Sequence, residues 1–416
     1  MLRNETKKAL LSRKVRNTSV ISFILLLFIS FLCVSIQCKQ QTNTNKSELD
    51  VVLLQTTDYV FSEKWSHTLN GSLPMFRTCD SVFKGQNIFI APIASNYLLD
   101  KNQKADILYT VKIFRPDQSL YFSKENILLV NKPIENKDYL QLSESVVSFH
   151  FKEDDVWGTY KIQVEVTDKV AGKTKKIESK LILTQISGYD AFQVKDENEF
   201  VEWLNTYYQS PRPERALSYY IFYAKSSLPE NDTDFWVAFS PFQEIFKNNA
   251  YLSSQIINCY PSQDLEIRLY LLYLLVYANI DAPDFFEQLD VDEKEVYLEL
   301  KDTAMVDIYG TIKAGYQLDM LWGNFYASGS YQPILKLIKT LDYARYQGSL
   351  DKFDASKATV EDRQNAIYDA IYGALIWSLS SNYKNHKLVS DYCNWAYLHE
   401  NLSDLQRSEL KKILEK

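Results

Sequence analysis

Few residues in this chain stand at spacings that chemistry could use. The four histidines, His67, His150, His386 and His399, do not form the ligand cluster that a metal needs. His386 and His399 are separated by 13 positions on different predicted helices, so neither a metal nor another cofactor is expected. Asp290-Val-Asp292-Glu293 resembles the opening of a calcium loop, but the turning glycine and the closing glutamate are missing, and a solvated helix start accounts for it better. Ser349-Leu-Asp-Lys352 and Ser381-Asn-Tyr-Lys384 match Ser-x-x-Lys, too short a pattern to imply a nucleophile without its companion motifs. No phosphate-cradling glycine loop is present. A glycosidase needs two carboxylates about 5–10 Å apart, and Asp319 and Glu244 are the acids to nominate. Six aromatic residues, Trp203, Tyr207, Tyr208, Trp322, Phe325 and Trp377, could line a groove for a sugar or peptide, because aromatic faces offer large contact area. The same helical spacing also describes core packing, its commoner use.

The chain that must position these residues starts with a leader. Arg3, Lys7, Lys8, Arg13, Lys14 and Arg16 precede an apolar run from Val20 to Ile36, which at 17 residues reaches roughly 25 Å as a helix, near the lower limit for a bilayer. Three readings stay open: a lipoprotein signal with Cys38 as the lipidation candidate, an uncleaved anchor with its basic end in the cytoplasm, and a cleaved signal peptide. The first two attach the chain to a membrane. Residues 1–38 hold six basic residues and one acidic residue, so the remainder has 40 Lys/Arg against 52 Asp/Glu, a formal net charge of −12. That balance disfavours nucleic acid as a partner. Beyond the leader only Cys79, Cys259 and Cys393 remain. They are best read as small buried hydrophobes, with a Cys259–Cys393 bridge left open.

Two periodicities divide the rest. From about Thr57 to Thr184 the period is two, as in Tyr160, Ile162, Val164 and Val166 alternating with Lys161, Gln163, Glu165 and Thr167, which predicts strands with one buried face. Arg115-Pro-Asp-Gln118 and Val170-Ala-Gly-Lys173 read as turns, and the pattern as an antiparallel β-sandwich. Lys169, Lys173, Lys175, Lys176 and Lys180 form a basic ribbon of the kind that protects a sheet edge. From about Asn198 the period becomes 3.6, predicting helices at 214–226, 233–248, 251–259, 263–280, 316–328, 332–346, 360–384, 387–399 and 403–415, with weaker patterning between Asp281 and Tyr316. Asp232 or Thr233, Ser262 and Ser403 are candidate N-caps. Gly323 suits a close helix approach and Gly329 a C-cap. No strict repeat is present, so the α half reads as a solenoid or irregular bundle.

Several motifs stand together. Gln86-Asn-Ile-Phe-Ile-Ala-Pro-Ile93 with Asn96-Tyr97, Ile113-Phe-Arg-Pro-Asp117, and Glu153-Asp-Asp-Val-Trp-Gly-Thr-Tyr160 leading to Val166-Thr-Asp168 and Gly172-Lys173 resemble an Ig-like sandwich domain of uncharacterised bacterial envelope proteins. The second half resembles an uncharacterised helical family through four patches: Phe200 to Pro213, Phe239 to Asn248, Leu318 to Gly329, and Ala374 to Leu379 with Asn382 and His386. The resemblance implies architecture and no known activity.

The expected fold is therefore multidomain β plus α, an antiparallel Ig-like β-sandwich followed by an all-α solenoid or irregular bundle. The expected boundaries are a leader at 1–38, a polar linker at 39–56, the sandwich at 57–185 and the helical domain at 195–416. The expected function is non-enzymatic: a protein tethered in the bacterial envelope, facing the periplasm or exterior, that binds or scaffolds a protein or glycan. A hydrolase of an envelope polymer is the alternative.

Overall fold

A computed structural model describes residues 48–69, 74–136, 140–226, 232–280 and 282–415; the leader, its apolar run and Cys38 lie outside the described residues. The first half contains β1 (Asp50–Thr56), α1 (Phe61–Ser66), β2 (Ser81–Val82), β3 (Ile88–Ser95), β4 (Ile107–Phe114), β5 (Leu120–Val130), β6 (Gln141–Leu142), β7 (Val147–Phe149), β8 (Gly158–Asp168) and β9 (Lys173–Leu183). One sheet runs β1-β3-β6, with β7 also on β3; the other runs β2-β9-β8-β4-β5. The expected alternation holds in β8, where Tyr160, Ile162, Val164 and Val166 are fully buried. They share one core with Val51, Ile88 and Ile90 of the facing sheet. The pairings between strands are antiparallel except β2 with β9, which is parallel and corrects the all-antiparallel expectation. Because β2 meets only Ile182 and Leu183 and the Gln55 amide donates to the Lys180 carbonyl at 3.1 Å, it is the turn-proximal part of the β9 edge, with Lys175 and Lys176, that pairs with no further strand among the described residues.

Asp168 shows why the β8–β9 hairpin forms where the sequence predicts. Its buried carboxylate accepts from the amides of Val170 and Ala171 at 2.9 and 3.0 Å and from that of Leu98 at 2.8 Å. Gly172 then takes φ +63° to close the turn.

Asp50–Thr56, expected in the linker, is instead β1. Its apolar residues divide between two clusters: Val51 faces the core between the sheets, and Leu54 joins Phe61, Ala91 and Ile93 on the opposite side. Helix α1 thus covers the outer face of β3, which is why β3 is buried almost throughout instead of alternating. Strand β5 also escaped the sequence pattern. It is an edge strand with a polar centre, and its register on β4 shifts in three places.

The second half contains α2 (Glu197–Thr206), α3 (Ala216–Lys225), α4 (Asp232–Asn248), α5 (Ser253–Cys259), α6 (Leu265–Tyr277), α7 (Pro283–Gln288), α8 (Val291–Asp302), α9 (Tyr316–Ser328), α10 (Tyr331–Thr340), α11 (Val360–Asn385), α12 (Lys387–His399) and α13 (Asp404–Leu414). A β plus α class is what the chain adopts. Ser403 caps α13 as expected, but Asp264, not Ser262, caps α6. Asp290 opens α8 in a capping box with Glu293. Asp290, Val291 and Asp292 are exposed, as a solvated helix start implies, but Glu293 is buried and pairs with Arg268 at 3.0 Å. Cys259 and Cys393 are both free thiols in different core clusters, so they do not form the bridge left open above. Burial pushes each thiol up to about 12. Among the described residues no helix is long and apolar enough to cross a membrane.

Residues Leu49–Lys416 form one compact unit, and α1 ties its two halves together. The Glu63 carboxylate accepts from the Ser330 hydroxyl and the Tyr331 amide, each at 3.0 Å, which caps the N-terminus of α10 from outside. Lys64 forms a buried ion pair with Asp58 at 2.6 Å. The His67 ring stacks on Tyr331 at 4.0 Å and meets Trp395 edge-on at 4.4 Å.

Candidate functional site

The site starts from one face of α9. Asp319, Trp322, Gly323 and Tyr326 recur at spacings of three and four, so they share a stripe. Gly323 is where α4 crosses: a β-carbon there would sit 3.0 Å from the Pro241 ring. Ser240 and Asn324 lock the crossing, with the Asn324 amide donating to the Ser240 hydroxyl at 2.7 Å and that hydroxyl donating to the Met320 carbonyl at 3.2 Å. Gly329 ends α9 with φ +69°. A β-carbon there would approach Lys64 Cε at 3.0 Å and Tyr208 Cβ at 3.3 Å. Both glycines therefore do what the sequence suggested.

Around this stripe, polar groups from distant segments meet. Tyr208 packs its ring on Phe325 at 4.8 Å and shares a hydrogen bond of 2.8 Å with His386 Nδ1. Gln209 donates its amide to the Tyr208 oxygen at 3.1 Å. The arrangement that uses every donor has the Tyr208 hydroxyl donating to His386 Nδ1, leaving the imidazole proton on Nε2. Burial lowers the pKa of His386 and favours this neutral form. Tyr326 donates to Asn382 Oδ1 at 2.6 Å, and the Asn382 amide donates back into α11 at the Ser378 carbonyl, 3.0 Å away, which fixes which way the side chain faces. Tyr326, Asn382 and His386 all keep partial solvent access.

Asp319 lies two turns from Tyr326 on the same helix. Its side chain is accessible, yet the protein around it strips enough water to push the carboxyl up to about 6. Desolvation is the whole cause; no neighbouring charge contributes. A second carboxylate at the distances that paired-carboxylate hydrolysis requires would add repulsion. Glu244, the other nominated acid, is engaged elsewhere, accepting from the Asn248 amide at 2.7 Å and the Tyr59 hydroxyl at 3.3 Å. The structure does not assemble Asp319 and Glu244 into a pair.

The aromatic groove fares differently from its expectation. Tyr207, Tyr208, Trp322 and Phe325 are buried in the core, and Trp203 lies flat on Tyr219 at 4.1 Å. Their helical spacing aims them at neighbouring helices, so they serve packing and leave no aromatic platform. Trp377 alone of the six is exposed, at 61%, and it lies on the outer face of α11, away from Asn382 and His386. Among the described residues no group of three His, Cys, Asp or Glu is placed to hold a metal ion. Tyr326 was missed by sequence reasoning, although its position seven residues after Asp319 on a helix was a usable signal. A depression lined by Phe192, Glu199, Arg215 and Tyr219 is largely occupied by its own contacts: Tyr219 donates to Glu199 at 3.1 Å and the Arg215 guanidinium lies 4.9 Å from the Phe192 ring centre.

No protein-family model matches the chain, and no curated protein matches it. Among solved structures, a family 123 glycoside hydrolase from Clostridium perfringens, described in a study of glycolipid glycan hydrolysis, aligns at 7% identity with a TM-score of 0.20. The alignment covers 42% of this chain and 35% of that one, so the chain spans about a third of that protein's length. A likeness at this level bears on neither fold nor function.

Proposed function

We propose that this chain is a non-enzymatic protein of the bacterial envelope, attached to the membrane through its N-terminal segment, that binds a polar partner, a protein or a glycan, where α9 and α11 present Asp319, Tyr326, Asn382 and His386, taken in this proposal as the binding cleft. In this reading the two sheets are an Ig-like sandwich and the helices a solenoid-like body that presents the cleft. The observation that carries the proposal is convergence. Three separate stretches of sequence meet in two hydrogen-bonded pairs, Tyr208 with His386 and Tyr326 with Asn382, whose Tyr326 and His386 rings lie 5.5 Å apart; Tyr326, Asn382 and His386 keep partial access to solvent, and exposed Asp319 stands two turns away on the helix of Tyr326. Such a set fixes the orientation of a ligand. Glu244, the other nominated acid, is engaged elsewhere and does not join Asp319, which favours binding over two-carboxylate hydrolysis. One observation favours the hydrolase reading: a carboxyl near 6 is suited to general acid work at neutral pH.

Soluble peptidoglycan fragments test both readings, because they carry sugar hydroxyls and peptide groups. The full chain is incubated with them, hydrogen exchange is followed across the protein, and the fragments are weighed by mass spectrometry. Slowed exchange at residues 319–326 and 382–386 with intact fragments is the expected result. Cleaved fragments would establish the hydrolase instead, and unchanged exchange at both segments would remove the cleft as the binding site.

A further inference from the structure

Strand β9 leaves part of its outer edge open, and the backbone there points in a fixed direction. The Ile182 amide donates to the Asp80 carbonyl at 2.8 Å, and the Lys180 carbonyl accepts from the Gln55 side-chain amide at 3.1 Å. Lys180 and Ile182 therefore turn their main-chain groups away from β8. The register of β9 on β8 runs from Lys173 to Leu183 without a bulge, and in an antiparallel strand successive residues face alternate sides. Thr174, Lys176 and Glu178 must then direct their N–H and C=O groups outward along the same edge, where no strand pairs with them among the described residues. All three residues are exposed. A row of donors and acceptors at this spacing matches the backbone of an extended peptide, and neither a sugar nor a phosphate chain.

The side chains around this edge select the sign of the partner. Residues 169–180 hold five lysines and one glutamate, a formal +4, within a remainder that carries −12. The ion pairs of this hairpin among the described residues are Lys176 with Glu165 at 2.9 Å and Lys161 with Glu178 at 3.8 Å. Lys169, Lys173, Lys175 and Lys180 are left without a carboxylate among the described residues, and all but Lys175 are fully exposed. A second copy of this edge brings the same positive cluster, so like charges oppose the self-pairing that an open edge invites. A strand of opposite charge meets no such barrier and is attracted by several lysines at once. We propose that the open edge of β9 docks an acidic, extended segment of a partner protein, which joins the second sheet as a further strand beside Thr174, Lys176 and Glu178. This surface lies in the β half and is separate from the cleft between α9 and α11.

The test titrates the full chain in mild detergent with the blocked heptapeptide Thr-Glu-Val-Glu-Val-Glu-Thr. Two relatives of the peptide serve as controls: one with glutamine at each glutamate, and one methylated at every backbone nitrogen, which keeps the charge but cannot donate. The parent peptide is expected to bind, the glutamine form at least tenfold more weakly, and the methylated form not at all. Residue-resolved hydrogen exchange should slow at Thr174, Lys176 and Glu178 and stay unchanged at Lys175 and Ile177, whose amides face β8. Combining Lys173→Glu with Lys180→Glu, both at exposed positions, should weaken binding at least tenfold in a chain that melts as the wild type does. Absence of binding, equal affinity for the glutamine form, retained affinity for the methylated form, or slowed exchange without this alternation would overturn the proposal.

Discussion

Asp319 holds the most exposed decision in the cleft, because its ionisation opposes folding. Its carboxyl binds a proton more tightly in the folded chain, about 6 against an ordinary 3.8, so the ionised form costs stability. That cost is absent below the unfolded value, grows as pH rises through the interval, and is complete above about 6. Asp319→Asn should therefore raise the melting temperature at pH 7.5 and leave it unchanged at pH 3.5. After discounting for solvent access, the gain is on the order of 1 kcal/mol. A scanning-calorimetry series across pH checks the sign, and an equal shift at both ends would contradict it. Lys64 presents the opposite case. Lys64→Met strands the Asp58 carboxylate, buried with its partner, and should cost about 3–5 kcal/mol in a denaturant titration, whereas replacing both partners by apolar residues should cost much less.

At the scale of elements, α1 joins the two halves, since it caps α10 and sets Lys64 against the end of α9. Glu63→Ala removes both acceptors at the start of α10 and should destabilise the chain by about 1–2 kcal/mol, read as a shift in denaturation midpoint. Gly329→Ala should cost a similar amount or more, because it meets both a left-handed φ and the Lys64 and Tyr208 side chains. Most helices of the second half were legible to within a few residues, α9 and α12 to the residue, because long 3.6-period patterns with caps are a strong local signal; α7 and α8, in the weakly patterned stretch after Asp281, were not placed, and the helix expected at 332–346 is α10 followed by a 3-10 segment, Leu341–Tyr346. Helix α1 was not legible. Its six residues are too few to show a period, and Phe61 and Lys64 are buried by partners from both halves that no local window contains. Strand β1 was masked for a related reason: its apolar residues serve two different clusters, so its pattern reads as neither alternation nor a simple run. The cleft was half legible. Asp319, Asn382 and His386 stood out in the sequence, but what brings α9 to α11 is the Tyr326–Asn382 hydrogen bond between residues 56 positions apart, which no local window contains. The six aromatics were misplaced as a groove because spacing alone does not say whether a helix stripe faces a neighbour or a ligand.

For the whole molecule, the proposed attachment and the proposed cleft make separate claims. If Cys38 is the lipidated residue, the intact mass of membrane-extracted protein should exceed that of the polypeptide beginning at Cys38 by a lipid-sized increment, and Cys38→Ala should abolish the increment. An unmodified full-length mass would point to the uncleaved anchor. The most direct test of the binding account is a calorimetric titration of soluble peptidoglycan fragments into the full chain and into its Asn382→Ala variant at neutral pH. The account predicts measurable binding to the wild type and at least a tenfold loss in a variant that melts cooperatively. Equal affinity in the two, or no heat of binding to either, would contradict it.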